Sequence, residues 1–199
     1  ANFRLEDFSF EPRSTKFILS LSGGMARLTG LLQCAYGSRI MTPKVTAMGE
    51  DVWLPDPSDP RRYSTRDFGA EQAAVARLQR CGFIGPDDRG GLQMSGQNAV
   101  LNFFAREFPR LEREWAVSLD DRLDRSAKQN IERIEPRFTI TPSGVQWFDL
   151  GVVFASPGGE QFPAAEIQRL LLSGQSHVRL PNGKAAVFDT EGLEELQEV

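Results

Sequence analysis

The run from Phe138 to Phe154 constrains this chain more than any other, because residues alternate in character on both sides of Thr141-Pro142-Ser143-Gly144. Such alternation around a turn signal predicts two antiparallel strands joined by a short connection. On the second strand Phe148, Leu150, Val152 and Phe154 share one face, and Trp147, Asp149 and Gly151 share the other. The same reasoning predicts a strand at Lys16–Leu21, a turn at Ser22–Met25 and a strand from Ala26 to Tyr36. It also predicts a tight hairpin in which His177–Leu180 and Lys184–Phe188 flank Pro181-Asn182-Gly183.

Helical signals separate these hairpins. Asp67 opens an apolar period through Ala74, Leu78 and Cys81 that Gly82 ends. A second helix begins near Ser95 to Gln97, buries Val100, Phe103, Phe104, Phe108 and Leu111, and is bent or interrupted by Pro109. Trp115–Leu119 reads as a short strand and Ser118–Lys128 as a solvated helix or linker. Pro163–Ser173 is a helix with Ile167, Leu170 and Leu171 facing inward, stopped at Gly174, and Thr190 caps a closing helix that runs to the last residue. Between Met48 and Ser64 three prolines and three aspartates suggest an extended surface loop ending in Arg61-Arg62-Tyr63. The expected fold class is α+β, antiparallel hairpins packed with several helices, in two subregions at 1–130 and 131–199. At 199 residues such a chain can bury a core without staples.

Charge limits the partners. The net charge is −4, yet residues 1–130 carry 18 basic and 17 acidic side chains, against 5 and 10 in residues 131–199. No clustered cationic excess stands out, so a dominant phosphate-binding face is not expected. Nineteen of the 23 cations are arginine, which suits bidentate contacts to phosphate or carboxylate and equally follows from a GC-rich genome. No apolar run approaches the roughly 18 residues of a membrane span. Cys34 and Cys81 are the only cysteines and read as buried free thiols of a cytoplasmic protein.

Few residues offer chemistry. Gly183-Lys184 lacks the upstream glycine and following hydroxyl of a phosphate-cradling loop, and no Gly-x-Gly-x-x-Gly fingerprint opens a helix. His177, the single histidine, is expected to be a strand residue with a satisfied imidazole. Asp149 either serves as a proton-transfer carboxylate in an apolar pocket or accepts hydrogen bonds from turn amides or a strand cation such as Arg179. Trp147 and Phe148 either stack on bases or cover the sheet. Arg61, Arg62 and Arg66 either touch phosphate or, in the case of Arg66 with Asp67 and Glu71, form a helix start with an internal ion pair.

Two sets of residues carry a resemblance. The sharper comprises Ile134-Glu-Pro-Arg-Phe138, Ser143-Gly-Val-Gln-Trp-Phe-Asp-Leu150, Phe162-Pro-Ala-Ala-Glu-Ile-Gln-Arg-Leu170 and His177-Val-Arg-Leu-Pro-Asn-Gly183. The looser is Arg66-Asp67-x3-Glu71, Leu78-x3-Gly82-Phe83 and Trp115-x-Val117. Together they resemble the SNF2-helicase-associated region that precedes the motor in bacterial SNF2-family helicase-like ATPases. The resemblance implies an accessory domain, regulatory or in contact with nucleic acid, whose RecA-like motor lobes lie beyond Val199 and use ATP and Mg. It implies no catalytic residue, cofactor or metal here. Partners would be the chain's own motor and DNA, with Arg61, Arg62, Arg66, Trp147, Arg179 and Lys184 as contacts and no membrane association. The rival readings are a protein-interaction module without nucleic-acid contact and a small hydrolase using Asp149.

Overall fold

A computed structural model describes residues 4, 7–12, 14–43, 52–142 and 148–188. The fold is α+β. Its largest sheet is built on the hairpin of β2 (Lys16–Gly24) and β3 (Arg27–Tyr36). Every second residue of β3 from Leu28 to Tyr36 is buried, as a pleated strand with one covered face requires. The turn is Met25-Ala26, slightly later than the sequence suggests. The far edge of β3 takes β7 (Gly91–Ser95) on its first half and β4 (Arg39–Met41) on its second. The free edge of β2 pairs in parallel with β8 (Ala116–Leu119).

Helix α1 (Phe68–Arg80) lies on this sheet. The Asp67 carboxylate caps it by accepting from the Ala70 N–H at 2.9 Å, and Gly82, at φ +100°, ends it. The second predicted helix is present but not uniform. It runs as α2 (Gln97–Asn102), one π-helical turn at Phe103–Glu107, and α3 (Phe108–Glu114). Pro109 lacks an N–H and crowds the carbonyl four residues back, so the wider turn before it lets the helix continue around the obstruction. Phe103, Phe104, Phe108 and Leu111 enter the main core with Leu19, Leu28 and Leu78. The charged run after β8 is helix α4 (Asp121–Asn130) rather than a linker, anchored by fully buried Leu123.

A second sheet has the order β11-β10-β9-β13-β12, from β9 (Ile131–Pro142), β10 (Phe148–Ala155), β11 (Gln161–Pro163), β12 (His177–Arg179) and β13 (Ala185–Phe188). The expected hairpin forms, but Thr141 and Pro142 belong to the strand, and the connection lies in 143–147, outside the described residues. Helix α5 (Ala164–Leu172) covers this sheet through Ile167 above a core of Ile134, Phe154, Leu180 and Phe188. The helix expected from Thr190 is also outside the described residues. The 130/131 division falls where α4 meets β9. Across it, Arg133 Nη2 donates to the Phe104 carbonyl at 3.5 Å and Ser176 Oγ bonds Asn102 Oδ1.

The third sheet corrects an expectation. Part of the stretch expected to be a surface loop is a hairpin of β5 (Trp53–Asp56) and β6 (Asp59–Thr65), with β1 (Ser9–Pro12) parallel to β6. Its prolines are tolerated because Pro57 sits in the turn, Pro60 near the start of β6 and Pro55 on β5, an edge strand of this sheet. The Asp56 carboxylate accepts from the Ser58 N–H at 2.9 Å and closes that turn. Not every pairing is antiparallel: β1/β6, β2/β8 and β13/β9 are parallel, so all three sheets are mixed.

Candidate functional site

Four arginines from two adjacent helical segments line a cleft of about 460 Å³. Arg77 and Arg80 are one helical step apart on α1, and Arg106 and Arg110 are similarly spaced across the π turn and α3, so each pair shares a face. Asn102, Phe103, Cys81 and Glu107 complete the lining. Arg77 is braced by Glu114, by Glu107 at 3.5 Å and by the Trp115 ring at 5.5 Å from its centroid. Arg110 lies 3.6 Å from Glu107. Arg106 donates Nη2 to the Gly174 carbonyl at 3.3 Å, while its Nε is buried without a hydrogen-bond partner. Arg80 is exposed. The sequence reading missed all four, although their i,i+3 and i,i+4 spacing opposite the apolar faces was the available signal.

A second exposed feature comes from the Phe138–Phe154 hairpin. β13 pairs with β9 only over Ile131–Ile134, and β11 with β10 only over Val153–Ala155. Beyond those points, among the described residues, Phe138–Pro142 and Phe148–Val152 pair only with each other, as a projecting arm. Phe138 is 53% and Ile140 66% exposed on one face of it.

A family described as bacterial SNF2 helicase associated has a model that matches residues 2–199. The chain belongs to that family. No curated protein and no solved structure matches it.

The described contact residues predicted for this SNF2-associated chain come from different elements, and one of them is buried. Arg66 is 5% exposed and its guanidinium grips Glu71, Nε to Oε1 at 2.7 Å and Nη2 to Oε2 at 2.8 Å, which removes it from any outer face. The Arg66-Asp67-x3-Glu71 spacing is therefore structural, a buried pair around a capped helix start. Arg61 and Arg62 are exposed on β6, where Arg62 pairs with Glu11 at 3.1 Å. Near them Phe10 packs edge-on to Trp53 at 4.8 Å and against Tyr63 at 5.7 Å, an aromatic group the sequence reading did not single out. Trp147 lies outside the described residues. Arg179 is exposed on β12, and Lys184 nearby places Nζ 3.0 Å from Glu132.

Asp149 is exposed on the arm opposite Thr141, outside the arginine cleft. The suggested Asp149–Arg179 pair does not form, because β9 and β13 lie between and the two positions are about 30 Å apart along the strands. Burial pushes the Cys34 thiol up to about 12 and the half-buried Cys81 thiol up to about 11, so neither is a thiolate at neutral pH. Among the described residues no helix is long and apolar enough to cross a membrane, and no group of three or more His, Cys, Asp or Glu could hold a metal.

His177 is a strand residue as expected, but its Nδ1 is buried with no partner, so the imidazole is not satisfied. Burial lowers its pKa below the ordinary 6.5. Glu132 is held below the ordinary 4.5, first by the Lys184 hydrogen bond. Both folded values lie under the unfolded ones, so each group contributes stability that is complete above its unfolded pKa and lost as pH falls through the folded one. The urea midpoint is expected to fall in two stages, below pH 6.5 and again below pH 4.5. His177→Gln should flatten the first stage and Glu132→Gln the second. A wild-type midpoint level between about pH 7 and about pH 5 would refute the histidine assignment.

Proposed function

We propose that this chain is a non-catalytic accessory domain of a bacterial SNF2-type ATPase that docks on its own motor and positions or restrains it. The projecting arm carries this reading. A two-stranded ribbon is marginal in water by itself, and an exposed apolar face on one marks a contact with another protein surface. Phe138 and Ile140 present such a face, with Thr139 and Thr141 on the other side. Exposure of Asp149 away from the cleft and the raised thiol pKa values favour a role without chemistry of its own. ATP and Mg belong, on this reading, to motor lobes elsewhere in a cytoplasmic polypeptide.

The test is a photo-cross-linking amino acid at position 140 of the intact SNF2 protein. A cross-link to a motor lobe within the same polypeptide is expected from position 140 and not from position 139 on the opposite face. Equal yields from both positions, or none from position 140, would remove the docking reading.

A further inference from the structure

We infer that the cleft lined by Arg77, Arg80, Arg106 and Arg110 binds the phosphodiester backbone of nucleic acid. This deepens the accessory-domain reading and rests on it for the choice of polymer, while using a surface separate from the arm.

Guanidinium groups present planar forks of donors that match phosphate oxygens two at a time, and four of them converge here against one lining carboxylate. Even with Glu114 counted beside Arg77, the cleft keeps an excess of two positive charges. Its arginines are also braced. Arg77 is fixed by two glutamates and the Trp115 ring, and Arg106 by the Gly174 carbonyl, so binding orders few side chains. The buried Arg106 Nε is a donor that the protein itself leaves unpaired, and an anion in the cleft supplies the kind of acceptor it lacks. The π turn that holds Arg106 sets its direction, a local irregularity frequent at binding sites. The open shape of the cleft suits a strand passing through it rather than an enclosed small molecule.

The neutral overall balance of residues 1–130 concealed this site, since among the described acidic residues of that half only Glu107 lines the cleft. Affinity is therefore set by a few phosphates, and the dependence on salt should be shallow for a nucleic-acid binder.

The experiment is fluorescence anisotropy of a labelled 20-base-pair DNA duplex, and of the corresponding single strand, with the whole chain at NaCl from about 50 to about 300 mM. Log affinity is expected to fall linearly with log salt. Arg80→Glu, at an exposed position that should not disturb folding, should weaken binding about tenfold at the lowest salt and reduce the slope by about one. Arg106→Gln should do the same with an unchanged urea midpoint, whereas Arg122→Glu, exposed on α4 and outside the lining, should stay within about twofold. Millimolar inorganic phosphate should compete weakly. No binding at 50 mM NaCl, equal losses in Arg80→Glu and Arg122→Glu, full displacement by inorganic phosphate, or tighter binding of polyglutamate than of DNA would each overturn the assignment. Cross-linking from position 140 is read independently, so failure here is distinct from failure of the docking reading.

Discussion

Glu71→Ala is expected to destabilise the fold by about 3–5 kcal/mol, because it strands a guanidinium in the interior. The Arg66 and Glu71 side chains are each 1% exposed and joined through both forks. Tyr36 Oη donates to Glu71 Oε1 at 2.7 Å and itself receives the Asp67 N–H at 3.0 Å, so the carboxylate ties β3 to the start of α1. Burial, ahead of its bonding partners, pushes the Tyr36 hydroxyl up to about 12, and the hydrogen bond to Glu71 raises the Arg66 value further above its ordinary one. Among the neighbours of Arg66, the Thr42 carbonyl at 3.4 Å and the Phe68 ring at 4.8 Å carry no formal charge and do not replace the carboxylate. For a chain of this size the melting temperature should drop by about 10 °C. The double variant Arg66→Met with Glu71→Leu should recover most of the loss, since an apolar pair of similar volume removes the desolvation cost together with the attraction. Urea unfolding of the three proteins decides it. A loss below about 1 kcal/mol in Glu71→Ala would mean that the guanidinium reaches water and that the pair is not a structural element.

What the sequence made legible was local. Asp67 and Gly82 bracket α1 because a cap and a left-handed residue act over a few positions, and the hairpins at 16–36 and 177–188 rest on alternation across short turns. Long-range assembly was not legible. The parallel pairing of β8 on β2 joins residues about a hundred positions apart, and no short-range signal encodes it. Prolines near residues 55–60 mask a real hairpin because their missing N–H groups fall where the small sheet does not need them. The Phe138–Phe154 run was recognisable as a hairpin, yet its projection depends on where β13 and β11 stop pairing. The arginine cleft escaped for a related reason. Each of its two helical segments contributes only two arginines to the lining, and the cluster exists only once α1 packs beside the π turn.

Phe103→Ala is expected to cost about 3–5 kcal/mol, and the way it fails should separate packing from binding. Phe103 is 2% exposed and meets Phe83 nearly at right angles with centroids 5.2 Å apart, Phe104 at 5.7 Å and Phe108 at 6.2 Å. These neighbours cannot close over the space the ring leaves. Phe83 follows the end of α1, and Phe108 begins α3 beside a proline, so a cavity should persist and add to the lost transfer energy. Phe103→Leu, which retains most of the volume, should cost about 1–2 kcal/mol. Phe103 also lies under the cleft, in the same turn as Arg106. Its removal carries away no charge. DNA affinity should fall because Arg106 shifts while still meeting its phosphate, so the slope of log affinity against log salt should stay as in the wild type, in contrast to the shallower slope of Arg80→Glu. A slope that changes equally in both variants would show that the turn collapses and withdraws its arginines together, and the site would then depend on the core for its charge as well as for its shape.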